Sequence, residues 1–138
     1  MGNIVIGRII LTASGVLLAL AGILLIFLPQ ESIRVLGIAA GSGAVALAQL
    51  LAAALLALGF INWNSRANVV GGIYSRPLVL GNFLFYGVGA VSLGKAVSQL
   101  PLLLALAVGV LAAFALAFGW LLFFADPAGK HTSVDSSK

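Results

Sequence analysis

The chain has 138 residues, of which 62% are hydrophobic and 7% charged, against about 45–50% and about 25% in soluble domains. A soluble domain of this size leaves much of its surface exposed, so this composition excludes a purely water-facing fold and makes lipid part of the solvent. Seven basic and three acidic residues give a formal charge of +4; the basic residues are too few and too scattered for a nucleic-acid surface, and the lack of cysteine excludes disulfides and thiolate chemistry.

A bilayer-crossing helix needs roughly 20 predominantly apolar residues, and four stretches meet that requirement. The first runs from about Ile9 to Leu28 and stops at Pro29, which cannot continue a helix. Ala19-Leu20-Ala21 resembles a signal cleavage site, but the apolar run continues from Ile23 to Leu28, so a retained helix is expected. Met1-Gly2 does not complete a myristoylation motif, because position six is Ile6. The second stretch lies within Val35 to Trp63, too long for one upright span, with Gly41-Ser42-Gly43 near its start. Ser32 to Ala40 reads as a short interfacial segment or first turns, and the span proper as about Gly43 to Trp63. The third span runs from Pro77 to about Gln99, and the fourth from Pro101 to Phe124, with Asp126-Pro127 as its stop. Pro77 and Pro101 suit a first helical position, where the missing N–H costs nothing. Residues 1–127 thus form one domain, and Ala128 to Lys138 is a polar tail expected to be disordered. The apolar runs are continuous, whereas β-barrel strands alternate. The expected fold is all-α, an integral membrane four-helix bundle.

Four spans put the N-terminus, the central loop and the tail on one side. That side holds Arg8, Arg66, Arg76, Lys130 and Lys138, and the other only Arg34 and Lys95. The excess predicts that both termini are cytoplasmic, most naturally in a bacterial inner membrane. Trp63, Tyr74 and Trp120 fall at the same interface, as an aromatic belt would.

Polar groups inside a bilayer are costly, so each is a site hypothesis. Gln49, Asn82 and Ser92 are the intramembrane candidates, as interhelical hydrogen-bond partners or as pore-lining groups. Thr12 and Ser14 are hydroxyls that can bond back to their own helix carbonyls, and Lys95 can snorkel to the headgroups. No Asp, Glu or His lies within any span, His131 being in the tail. Embedded proton relays, haem ligation, metal sites and Ser-His-Asp triads all need such residues. No catalytic residue, cofactor or metal is therefore expected. Glu31 and Arg34, three apart, can pair on one interfacial turn.

Small residues recur every four positions. One row is Ala40, Ala44, Ala48 and Ala52; another is Ala105, Gly109, Ala113 and Ala117. Such rows let helix backbones approach closely, and the second is expected to be the packed face of the fourth span. The third span carries Gly81, Gly87, Gly89 and Gly94, which admit close neighbours or bending. An internal two-plus-two repeat would have Arg8 and Arg76 each open a span, without a residue match between the halves.

The central loop is the densest motif: Asn62-Trp63-Asn64-Ser65-Arg66, Gly71-Gly72, Tyr74-Ser75-Arg76-Pro77 and Gly81-Asn82. Gly71-Gly72 suits a turn. Trp63, Arg66, Tyr74 and Arg76 combine aromatic anchors with guanidinium groups that can grip phosphate, so they are candidate contacts for anionic lipid or a partner protein. They also fit a purely topological positive-inside loop. The run from Asn62 to Asn82 resembles the central segment of small uncharacterised bacterial four-helix membrane proteins of the DoxX-like group. In those proteins a span ends in Asn-Trp, a basic loop follows, and the next span opens at Arg-Pro. The likeness implies a fold, and no functional residue is carried over from it. The expected function is that of an accessory or scaffold subunit acting through helix and lipid contacts, in a homo-oligomer or beside other membrane subunits. The alternative is a small homo-oligomeric channel or facilitator.

Overall fold

The computed structural model describes residues 2–67, 75–95 and 102–124. Five helices follow in chain order: α1 (Gly2–Phe27), α2 (Pro29–Val35), α3 (Ser42–Ser65), α4 (Ser75–Gly94) and α5 (Leu102–Phe123). No strand occurs among the described residues. Four of the helices are long and apolar enough to cross a membrane, over Ile4–Phe27, Ser42–Ser65, Arg76–Gly94 and Leu102–Phe123. The chain is thus an all-α bundle with the build of an integral membrane protein. The polar tail, the Gly71-Gly72 turn, Tyr74, Gln99, Pro101 and the Asp126-Pro127 stop lie outside the described residues.

Two boundaries differ from the sequence expectation. The first helix begins at Gly2, not near Ile9, so Arg8 sits inside α1. The interfacial segment is helical over Pro29–Val35 and not over 32–40. Proline is the reason: it ends α1 at Phe27, and as the first residue of α2 it has no N–H to leave unpaired. Gly37 closes α2 with φ at 74°. The Gly37 N–H donates to Arg34 O at 2.9 Å and the Ile38 N–H to Ile33 O at 3.1 Å, the paired bonds of a Schellman cap, which needs a left-handed residue. Glu31 in the first turn and Arg34 in the last complement the dipole of this short helix.

The membrane helices pack as two antiparallel hairpins, α1 with α3 and α4 with α5. In the first, the inward residues of α3 are Ala48, Ala52, Leu55, Gly59 and Asn62, a four-three spacing that keeps one seam facing a neighbour. Glycines make that seam very close. A Cβ on Gly59 would lie 3.0 Å from both Ala19 N and Gly15 O, and one on Gly22 would lie 2.9 Å from Ala52 O. In the second hairpin, aromatic side chains fill the gap. Tyr86 stacks on Phe114 and Phe118 at centroid distances of 4.9 and 5.7 Å, and Gly119 makes room for Phe83. Between hairpins, backbones approach little; Leu11, Leu18, Leu55, Val79, Tyr86, Phe118 and Leu121 form a shared core.

The row Ala105, Gly109, Ala113 and Ala117 is not the inward face of α5. Gly109 and Ala113 are exposed, and a Cβ on Gly109 would meet nothing within 4 Å. The inward face carries Leu104, Phe118, Gly119 and Leu121 instead. Large and small residues face each other across this seam: Phe83 of α4 lies against Gly119, and Leu111 and Val108 of α5 lie against Gly89 and Gly94 of α4. In the row on α3, Ala48 and Ala52 are buried whereas Ala40 precedes the helix.

Candidate functional site: a polar clasp between the hairpins

One polar cluster lies in the protein interior. Ser14 of α1, Asn62 of α3, and Asn82 and Tyr86 of α4 all have no exposed surface. Asn62 and Asn82 exchange amide hydrogen bonds reciprocally. Asn62 Nδ2 donates to Asn82 Oδ1 at 2.7 Å, and Asn82 Nδ2 donates to Asn62 Oδ1 at 2.8 Å. The second hydrogen of Asn62 goes to Ser14 Oγ at 2.8 Å, and that of Asn82 to Leu78 O at 3.0 Å. Ser14 Oγ lies 2.7 Å from the Tyr86 hydroxyl, and either group can donate. Both amides are thus fully engaged as donors, and no buried side-chain N or O among the described residues lacks a partner.

Helix periodicity puts these groups together. Asn62 occupies the last step of the four-three seam of α3, three residues beyond Gly59. Ser14 falls between Leu11 and Leu18 on the inward face of α1, and Asn82 between Val79 and Tyr86 on that of α4. Close approach at Gly15, beside Gly59 and Trp63, brings Ser14 near Asn62. Tyr86 is held at both ends, by ring stacking on α5 and by its hydroxyl on α1. Every membrane helix therefore contributes to the cluster or packs on it.

Three of these hydrogen bonds cross from one hairpin to the other: the two between the asparagines and the one between Ser14 and Tyr86. Interhelical hydrogen bonds in membranes average roughly 0.6 kcal/mol, with a maximum near 1.7, so the crossing set contributes about 2 kcal/mol plus specificity of register. At 1.5 Å rise per residue, Asn62 lies about 6 Å inward of Arg66, and Ser14 and Asn82 about 9 Å inward of Arg8 and Arg76. The clasp sits toward the arginine-bearing end of the bundle. Its groups are amides and hydroxyls, which can orient, bridge and lock helices.

The other expected residues are distributed differently. Asn82 is in the clasp, as an interhelical partner. Gln49 and Ser92 are exposed, so the three intramembrane candidates do not line a common path within one chain. Thr12 bonds back to Arg8 O at 2.7 Å, as expected of a helix hydroxyl, whereas Ser14 is engaged across helices. Trp63 and Arg66 meet: the guanidinium stacks 3.8 Å over the Trp63 ring and donates to Trp63 O. Arg76 is exposed at the start of α4, and Tyr74 lies outside the described residues. Sequence reading missed Ser14, Asn62 and Tyr86 as site members; their signal was a polar group recurring in step with the apolar seam residues. Comparison with known proteins finds no matching family, curated protein or solved structure.

Proposed function

We propose that this chain is a non-enzymatic membrane protein acting through helix and lipid contacts, as an accessory or scaffold subunit of a membrane complex. The observation that supports this reading is the clasp. The buried polar groups satisfy one another and tie two hairpins into one unit, which presents its outer faces for contact. Gln49 adds to it: its amide is exposed on the outer face of α3, within a span. In hydrocarbon such a group is costly, and a neighbouring helix relieves it. Purification in mild detergent tests the assignment. A second polypeptide in fixed stoichiometry, loosened by Gln49→Leu, supports it. A lone oligomer that passes small solutes in liposomes would replace it with the channel reading. One placement favours that alternative: Gln49 and Ser92 both face outward, so they can line a path only between copies.

The proposed location is the bacterial inner membrane with both termini in the cytoplasm, supported by the five-to-two distribution of Lys and Arg. A reporter fused after Lys138 should be active in the cytoplasm; activity only outside reverses the topology.

A further inference from the structure

Gly15, Val16, Ala19, Ala57, Gly59 and Phe60 line an apolar groove on the outer side of the α1/α3 seam, with a volume of about 560 Å³ and Trp63 at one end. It shares Val16 and Leu20 with a second depression along α1, which ends at Arg8 and Thr12. The two adjoin at Val16 and Leu20, and the trough proper is the α1/α3 groove. It exists because glycines bring the backbones together while leaving no side chain to fill the outer cleft.

The register of the hairpin places charge at one end of this trough. Gly15 faces Gly59 and Trp63, whereas Gly22, seven residues on, faces Ala52 and Leu56, seven residues back. One further step of seven toward the N-terminus reaches Arg8 on α1 and the stretch just beyond Ser65 on α3. Arg8 and Arg66 are therefore at the same depth, within about one helical turn. Arg66 stacks on Trp63, the groove residue at that end, which holds the guanidinium beside it. Stacking uses the face of the guanidinium, and one N–H of its five donors goes to Trp63 O. Among the described residues the one carboxylate, Glu31, lies beyond the opposite end of α1. An apolar trough closed by two guanidiniums and an indole at headgroup depth matches a phospholipid with a net negative headgroup.

We infer that the α1/α3 trough is a binding site for one anionic phospholipid, its acyl chain lying along Val16 and Ala57 and its phosphate meeting Arg8 and Arg66. This deepens the lipid-contact part of the proposed function and rests on it. It also moves the contact from the Arg66/Arg76 loop pair to Arg8 and Arg66, because Arg76 opens the other hairpin.

Native mass spectrometry of the full chain, purified with added phosphatidylglycerol or phosphatidylcholine, tests the site. Wild type should retain phosphatidylglycerol preferentially. Each arginine near an anionic headgroup is worth roughly fivefold in affinity, so the double variant R8Q/R66Q should lose about 25-fold of the preference. R76Q should lose little. Ala57→Trp fills the trough while leaving both arginines, and should lower retention of both lipids; it covers the case in which R8Q/R66Q fails to fold. Unchanged preference in folded R8Q/R66Q, or unchanged retention in Ala57→Trp, overturns the site. If R66Q/R76Q abolishes the preference and R8Q/R66Q does not, the trough is wrong and the loop contact survives. A missing preference in wild type sinks the anionic-lipid reading altogether, whatever the co-purification of protein subunits shows.

Discussion

The α1/α3 seam and the joint between the two hairpins solve the same problem by opposite means. Within the bilayer no hydrophobic drive separates helix from lipid, so association relies on close packing and interhelical hydrogen bonds. The seam uses packing: main chains approach until a Cβ would not fit at Gly22 and would be very tight at Gly15 and Gly59. The joint uses hydrogen bonds: backbones stay apart, and Ser14, Asn62, Asn82 and Tyr86 bridge them. A glycine seam is insensitive to small rotations but intolerant of volume. A reciprocal amide pair demands one register but tolerates slack in the surrounding packing. Each hairpin is thus a tight unit, and the clasp selects how the two dock.

Adding volume to the seam should have the largest effect. Gly59→Leu places a side chain where Ala19 N and Gly15 O already stand 3.0 Å from an ideal Cβ. Both are backbone atoms, so the helices must separate. Overpacking typically costs about 1–3 kcal/mol and occasionally more; a rigid backbone seam belongs at the upper end. A titration with denaturing detergent measures it, with Gly87→Leu as control, since nothing lies within 4 Å of a Cβ there. Equal stability of the two variants would mean the seam is not the close contact described.

Breaking the clasp should have an intermediate effect of a different kind. Asn62→Leu removes three hydrogen bonds and leaves Asn82 Oδ1 and one amide hydrogen unpaired in the core. An orphaned buried polar group costs about 1–3 kcal/mol. The sharper test is the double variant. With Asn62 already Leu, Asn82→Leu should cost much less than it does alone, giving a coupling above about 1 kcal/mol, as contacting residues can. Strict additivity in the same detergent titration would show that the two amides do not act as a pair. Tyr86→Phe keeps the stacking on Phe114 and Phe118 and loses only the bond to Ser14, so about 0.5–1.5 kcal/mol is expected.

The seam and the clasp were unequally legible in the sequence. Span number and approximate limits follow from apolar run length and proline, and those matched for α3 and α5 to within a few residues. Asn82 stood out because it interrupts an apolar run well inside a span. Asn62 did not, because Asn62-Trp63-Asn64-Ser65-Arg66 reads as loop while the helix continues to Ser65. Counting every fourth residue also misled. The inward faces here step by four and three, as in Ala48, Ala52, Leu55, Gly59 and Asn62, and a fixed four-residue row drifts off such a face. On α5 it leaves Gly109 and Ala113 on the outer surface, with Ala105 and Ala117 half-buried. Gln49 illustrates the complement: it adjoins inward Ala48 in sequence, and for that reason points away from the seam.

The smallest effect is expected at Gly109, and it bears on what lies outside both contacts. Sequence alone makes Gly109→Leu a disruptive change, because Ala105, Gly109, Ala113 and Ala117 form a small-residue row. The structure reverses that expectation for the single chain: the position is exposed and its surroundings are open. Gly109→Leu should therefore leave unfolding within about 0.5 kcal/mol of wild type, as surface substitutions do, and the better helix propensity of leucine works in the same direction. Measured alongside, the oligomeric state in mild detergent separates two meanings of the row. If Gly109→Leu changes neither stability nor assembly, the small residues simply face lipid. A shift to smaller assemblies at unchanged chain stability would place a third helix contact on this face, one made between chains by the packing logic of the α1/α3 seam. A loss of stability comparable to Gly59→Leu would show that α5 turns this row inward, and the division into seam and clasp would have to be redrawn.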